Sequence, residues 1–429
     1  MAYAEKLQGK TLAMLVDPTK FEDPKVKAKG GFGLLVEWAY FGIEANNESR
    51  PDFEQVGLEL KTTPLVKGSK GTRVKERLVL NMIDFEKVSK EAWATSSFLN
   101  KNQKLLLIFY WHNDGETPWE HKFDLVGKWE LPAQDAELVR QDWEKIVAKI
   151  RAGLAHELSE GDTFLLGACT KGKDSSSVGA QPASDILAKR RAFSFKARYL
   201  KTIYDRIRGD ESEPLASIVT AGELRKKPFE QIITERFRPY VGKTYEQICR
   251  ALKMSPEGKG QYDEVSRAIM GAKGKHIAEF ENAEIVMKTM RVKENGLLKE
   301  DVSFPIFRYR DLVEETWEES ELKELLEKKF FFVMYRIQKD KLVLEGVRFW
   351  NMPYKDIDGP SREAWLLTLA KIRAGQCDDL PKKSAGYPIH VRPHARNAAD
   401  RLPGLFDKTY VKKSFWLTNK YLSKQLGLT

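Results

Sequence analysis

The sequence predicts a mixed α/β (α+β) fold built twice: two tandem modules, each a mixed sheet flanked by helices. Three observations lead there. Segments of the first half recur, in the same order, in the second. Apolar runs of strand length are separated by hairpin-length gaps. Longer segments carry the apolar spacing of a helix. At 42% hydrophobic and 11% aromatic residues, the 429-residue chain can bury a substantial core, which excludes a globally disordered chain.

The repeat is the strongest of the three. "WEKIVAKIRAG", ending at Gly153, answers "WLLTLAKIRAG", ending at Gly375. "VEWAYFG" at Val36 answers "VSRAIMG" at Val265, and "DFEQVGLELKT" answers "EFENAEIVMKT". "KLLLIFYW" at Lys104 answers "KFFFVMYR" at Lys329, and "GKTLAML" at Gly9 answers "GKTYEQI" at Gly242. The offset stays near 220 to 235 residues throughout, far longer than a solenoid period. The join falls where acids, Pro and Gly cluster, in "GDESEPLASIVTAGELRKKP". We therefore expect a first domain over 1–207, a linker over 208–234 and a second domain over 235–429.

Within the first copy, "GLLVEWAYFGI" reads as a buried helix. "FEQVGLELKTT", "RLVLNMIDF", "KLLLIFYWH" and "DTFLLGACT" read as strands. Between the last two strands, "AELVRQDWEKIVAKIRAGL" places Leu138, Trp143, Ile146, Val147 and Ile150 on one helical face. "KGSKGTRVKER" reads as a basic hairpin tip. In "WHNDGETPWEHK", His112 and His121 flank a turn at Asp114-Gly115 and have no second ligand pair at zinc spacing.

Charge and cysteine content narrow the function. The net charge of +10 suits a polyanionic partner such as nucleic acid. Cys169, Cys249 and Cys377 form no disulfide framework and no CxxC pair, so a reducing cytoplasm is the expected compartment. No apolar run is long enough to span a membrane, and no Walker loop or strand-following GxGxxG occurs.

The chemistry concentrates in "SRPDFEQVGLELKTTP". Strand alternation puts Glu59 and Lys61 on one face and Leu58 and Leu60 on the other. Asp52 arrives from the turn after Pro51. Two carboxylates converging at a strand suit Mg²⁺, and a neighbouring lysine suits an attacking water, the groups phosphodiester hydrolysis requires. An exposed charge ladder on a half-solvated strand is the competing reading. In the second copy Glu279 stands for Asp52, Val286 for Glu59, Lys288 for Lys61 and Ser266 for Glu37. Valine cannot bind a metal, so the pattern fits one live and one dead site.

On "KGGFGLLVEWAYFG", "PDFEQVGLELKT" and their spacing, the first copy resembles the MutH family of mismatch-repair nicking endonucleases, which has the PD-(D/E)xK restriction-endonuclease-like fold. The doubled chain, with "LLGACTKG" and "RAFSFKARYL", resembles the GATC-cutting restriction enzymes of the Sau-three-A type. The resemblance implies that Asp52 and Glu59 hold Mg²⁺, that Lys61 is the catalytic lysine and that Glu37 supports the site from its helix. It matches Lys104 to a further active-site lysine and Lys29 to a DNA-proximal one. In the second copy, "HVRPHARNAADRL" and "YVKKSFWLTNKYL" resemble the family's DNA-touching segments, which assigns Arg392, Tyr410, Lys412 and Lys413 to DNA. The first copy has Ala168 where Arg392 stands and Ser194 where Tyr410 stands, so Lys171 and Lys196 are its candidate DNA contacts. The expected enzyme is a Mg²⁺-dependent type II restriction endonuclease for double-stranded GATC DNA. It would be a monomer that dimerises on DNA, with the second module as an allosteric effector. A mismatch-repair nickase and a non-enzymatic DNA-binding protein are the alternatives.

Overall fold

The computed structural model describes residues 1–17, 31–44, 50–68, 71–172, 176–210, 215–258 and 260–428. They form two compact units. Unit 1 comprises Met1–Leu158, Asp162–Lys226 and His276–Glu284; unit 2 comprises Ser159–Gly161, Lys227–Lys275 and Ile285–Thr429. The segment expected to be a linker contains one helix, Ala221–Lys226 in unit 1, and the start of another, Phe229–Phe237 in unit 2.

In unit 1 the helix α1 (Phe32–Val36) widens into a π-helical turn, Glu37–Phe41, closed by Gly42 at φ +69°. Only glycine adopts that left-handed conformation without steric cost. The strands are β1 (Glu59–Gly68), β2 (Gly71–Val74), β3 (Leu78–Met82), β4 (Lys104–Trp111) and β5 (Phe123–Glu130). They are followed by β6 (Leu166–Thr170), β7 (Val178–Gln181), β8 (Ser184–Lys189) and β9 (Arg191–Phe195). Two helices matter for the site, α2 (Ser97–Asn102) and α3 (Ala133–Arg151). The main sheet runs β2-β1-β4-β5, with β1 parallel to β4 and the other pairs antiparallel. A second sheet runs β3-β9-β6, and β7 and β8 form a separate hairpin. The apolar face read from the sequence for α3 is the buried one: Leu138, Trp143, Ile146, Val147 and Ile150 are each at most 2% exposed. Leu60, Leu106, Ile108 and Tyr110 pack with α1 in one core cluster.

Asp142 of α3 ties that helix to the second sheet. Its carboxylate accepts the backbone N–H groups of Phe164, Leu165 and Leu166 at 2.7–2.9 Å, so the entry to β6 has its donors satisfied inside the core.

Unit 2 repeats the plan. Its strands are β10 (Val286–Val292), β11 (Val302–Ile306), β12 (Lys329–Gln338) and β13 (Lys341–Asn351). Then come β14 (Ile389–Pro393), β15 (Arg401–Pro403), β16 (Thr409–Val411) and β17 (Lys413–Leu417). The sheets are β10-β12-β13 and β11-β17-β14, with a β15-β16 hairpin. The copies agree in detail. Glu59 pairs with Leu105 in parallel register, and Val286 pairs with Phe330 likewise. The antiparallel partner strand breaks register between Phe109 and Tyr110 in one copy and between Met334 and Tyr335 in the other. Val79/Met82 and Ser303/Ile306 mark a second matching irregularity.

These registers correct both expected correspondences: Ser194 pairs with Gly167 and Val79 as Trp416 pairs with His390 and Ser303, so Ser194 stands in the place of Trp416, not of Tyr410. Leu78 pairs with Phe195 and Val302 with Leu417, and Leu166 and Ile389 pair with the same two residues. Cys169, not Ala168, is therefore the counterpart of Arg392, and Arg191 is the counterpart of Lys413.

Candidate active site

The site grows from the turn before β1. Phe53 and Leu58 exchange backbone hydrogen bonds across the short 3₁₀ turn Glu54–Val56, and Gly57 at φ +62° reverses the chain. The turn folds Asp52 back over the start of β1. Asp52 Oδ2 accepts from Leu60 N–H at 2.9 Å, while Asp52 N–H donates to Glu59 Oε2 at 3.2 Å. The two carboxylates are thus held side by side, as the strand-face reading requires. Glu59 is 1% exposed, and its other oxygen, Oε1, accepts from the ammonium of Lys61.

The structure adds a group that sequence reading missed. Lys101 Nζ lies 3.5 Å from Glu59 Oε1. It reaches the site from α2, whose Ser96 cap accepts from Leu99 N–H. Lys104, the expected second lysine, starts β4. It alternates with Leu105, the partner of Glu59, and so points to the opposite sheet face; its register partner is Glu130.

Glu37 stands at the first position of the π-helical turn and lines the same cleft as Asp52, Glu59, Lys61 and Lys101. The cleft encloses about 1140 Å³. Burial pushes the Glu37 carboxyl up to about 7, repulsion from Asp52 adds to this, and the Lys61 ammonium opposes it. Burial also raises Glu59, with Lys61 opposing and Asp52 adding. Among the described residues no group of three or more His, Cys, Asp or Glu side chains is placed to hold a metal ion. Mg²⁺ does not need one: it takes one or two carboxylates and fills its remaining positions with water and phosphate oxygens. The Asp52–Glu59 pair, with two ammonium groups drawn onto one Glu59 oxygen, fits such an open cation site.

The second copy lacks this chemistry. Val286 replaces Glu59 at the same register. Glu279, in the place of Asp52, is 2% exposed and holds structure in unit 1: it accepts from Ser217 Oγ, Gln134 Nε2 at 2.8 Å and Ile218 N–H at 3.2 Å. Ser266, in the place of Glu37, is buried and donates to Tyr262 O.

The expected DNA contacts divide by burial. Lys29 lies outside the described residues. Lys171 is exposed. Lys196 is not available at the surface: it is 9% exposed and donates to Thr163 O at 2.9 Å. Lys413 is likewise interior, donating to Cys377 O at 2.6 Å, much as its counterpart Arg191 donates to Ala168 O at 2.7 Å. Tyr410, 6% exposed, spends its hydroxyl on Gly375 O and presents no free edge to a base. Lys412 pairs with Asp400 at 2.5 Å. Arg392 differs from these. Its guanidinium lies 3.7 Å from the Trp416 ring centre, 3.6 Å from Asp301 and half exposed, at the rim of a recess of about 450 Å³. Stacking of this kind holds a guanidinium flat while leaving its donors directed outward.

Comparison with known proteins follows the same outline. The family model described as the DNA mismatch repair enzyme MutH matches residues 41–142, which include Asp52, Glu59, Lys61 and Lys101. The type II restriction enzyme Sau3AI of Staphylococcus aureus is 36% identical over 444 residues, covering 90% of this chain and 90% of that one. The DNA mismatch repair proteins MutH of Shewanella woodyi and Shewanella baltica are 29% and 26% identical. They cover 49% and 48% of this chain but 91% and 93% of their own lengths, one module against two. The chain belongs to the MutH-related family of type II restriction enzymes that includes Sau3AI.

Proposed function

We propose that this chain is a Mg²⁺-dependent type II restriction endonuclease that makes double-strand cuts at GATC. The single observation that carries the reading is the paired Asp52–Glu59 carboxylates with Lys61 in the first copy, against Val286 at the equivalent register of the second.

Asp52 and Glu59 are the residues that would hold the ion, which when bound supplies charge stabilisation to the phosphoryl oxygens. Lys61, fixed on Glu59 Oε1, orients the attacking water toward phosphorus. Lys101 adds a second positive charge on the same oxygen and offsets the developing charge at the phosphate. Glu37 bounds the site from the π-helical turn and takes up a proton near neutral pH. The second module supplies an effector site through Arg392, whose forked donors match the O6 and N7 acceptors of guanine. With one live site per chain, a double-strand break takes two chains or two successive nicks by one; DNA-promoted dimerisation is the route we propose. No helix among the described residues is long and apolar enough to cross a membrane, and the cytoplasm is the compartment we assign.

Digestion of unmethylated DNA with Mg²⁺, followed by sequencing of the ends, tests the reading. Double-strand ends at every GATC support it; random ends, or nicks alone, overturn it.

A further inference from the structure

The catalytic cleft combines an acidic floor with cations on its walls. Glu37, Asp52 and Glu59 repel a phosphate chain, so some positive charge must hold DNA against them. Arg50 is engaged by Glu54 and Lys101 by Glu59. Lys87 and Arg190 also line the cleft, are exposed, and take part in no ion pair among the described residues. They come from different elements: Lys87 from the short helix Phe85–Val88, Arg190 from the joint between β8 and β9.

The β7–β8 hairpin leading to Arg190 is anchored at both ends. Its Gln181 accepts from Ala155 N–H at 2.7 Å and donates to Ile186 O at 2.6 Å. The Ala183 turn presses on Gly153 so closely that a Cβ there would meet Ala183 O at 2.6 Å. At the other end, Arg190 N–H donates to Ser177 O and Arg190 O accepts from Lys171 N–H, at 3.0 and 2.7 Å.

Gly179 on β7 lines the cleft, yet nothing in the fold asks for glycine there. Its φ lies outside the left-handed region, and a Cβ built on it meets nothing within 4 Å. The β7–β8 pairing shifts register between Gly179 and Gln181, but such a bulge tolerates a side chain at ordinary φ. A glycine unneeded by its own strand marks a place where another backbone comes close.

We propose that the β7–β8 hairpin is the DNA-contacting wall of the catalytic module. Arg190 and Lys87 hold duplex phosphates from two walls of the cleft, and the sugar–phosphate backbone passes against Gly179, where any larger side chain obstructs it. The inference rests on the nuclease reading above and extends it to the module for which the sequence offered only Lys171 and Lys196, the latter buried.

The test uses the full chain in EDTA, so that binding is read without cleavage. Cys169, Cys249 and Cys377 are all buried, so an Ala180→Cys variant carries one accessible thiol, in the exposed cleft wall. Saturation with a GATC duplex, verified by gel shift, is expected to slow maleimide labelling about tenfold or more. Lys87→Ala and Arg190→Ala are each expected to lower the slope of log affinity against log salt by about 0.9. Gly179→Val is expected to weaken binding about tenfold with an unchanged Tm. Labelling at the free rate in the bound complex, together with parental slopes and affinities in the variants, overturns the proposal. Failure of the parent to cut in Mg²⁺ would count against the nuclease reading instead, because the labelling result depends on binding alone.

Discussion

Asp52 and Glu59 clasp each other through the backbone: the Asp52 N–H donates to Glu59 Oε2, and the Asp52 carboxylate accepts the N–H of Leu60, the residue after Glu59. The turn and the strand therefore fix the carboxylate pair before any cation arrives. Glu59→Ala is expected to lower cleavage by roughly 10³-fold or more, since it removes one of the two proposed ligands and the anchor of Lys61. Specific binding, read by gel shift, should remain. Cutting at the parental rate would refute the assignment.

Restoring one acid to the second copy should not restore chemistry. In the Glu59→Ala, Val286→Glu double variant, Lys288 is present, but Glu279 remains committed to Ser217 and Ile218. No cleavage above the Glu59→Ala background is expected. Recovery of even a few per cent would show that the second copy retains a usable site.

Cation binding should depend on pH through Glu37. Its carboxyl is neutral below about 7 and charged above. A proton must leave for the ion to gain that charge, so affinity falls as pH drops. Mg²⁺ titration by calorimetry should give about tenfold weaker binding at pH 6 than at pH 8. Glu37→Gln should flatten that difference, and a retained tenfold ratio would assign the proton elsewhere.

Arg392 and Lys413 lie in neighbouring strands and should behave oppositely. Arg392→Ala removes an exposed, stacked guanidinium, so discrimination of the GATC site should fall by about 1–3 kcal/mol with Tm unchanged. Lys413→Ala strands the Cys377 carbonyl in the interior and should lower Tm by several degrees. Paired melting and binding curves check both, and a Tm loss for Arg392→Ala alone would reverse the assignment.

Asp142→Ala leaves three buried N–H groups at the entry to β6 without an acceptor, a cost of about 3 kcal/mol or more. Burial holds the Asp142 carboxyl up at about 6, against the pull of those N–H groups. The folded state thus binds this proton more tightly than the unfolded chain. The associated stability is fully present below the ordinary carboxylate range and is lost as pH rises through about 6. Denaturant melts at pH 4.5 and 7 should show a smaller loss in the variant than in the parent, with Glu37 and Glu59 contributing the remainder in both.

What could be read from residues alone was the pattern along the chain. The repeat order, the α3 stripe and the shared face of Glu59 and Lys61 all follow from local periodicity. Lys101 escaped because it reaches Glu59 from a different element, and nothing in "SSFLNKNQK" announces that distant partner. Strand alternation speaks against Lys104 at the site, since it shares parity with Leu106 rather than with Leu105. Lys413 was legible too: it shares parity with Phe415 and Leu417, which face the core. Basic character outweighed that signal. Tyr410 and Lys196 carry no comparable mark, because their burial depends on Gly375 and Thr163, residues remote in the chain.

The kink ahead of Tyr110 reappears ahead of Tyr335. An irregularity shared at matched positions means that each half carries the same finished scaffold. Val286 stands at the register of Glu59, so that scaffold holds its shape without the acid. A half relieved of that carboxylate is open to a task other than cutting.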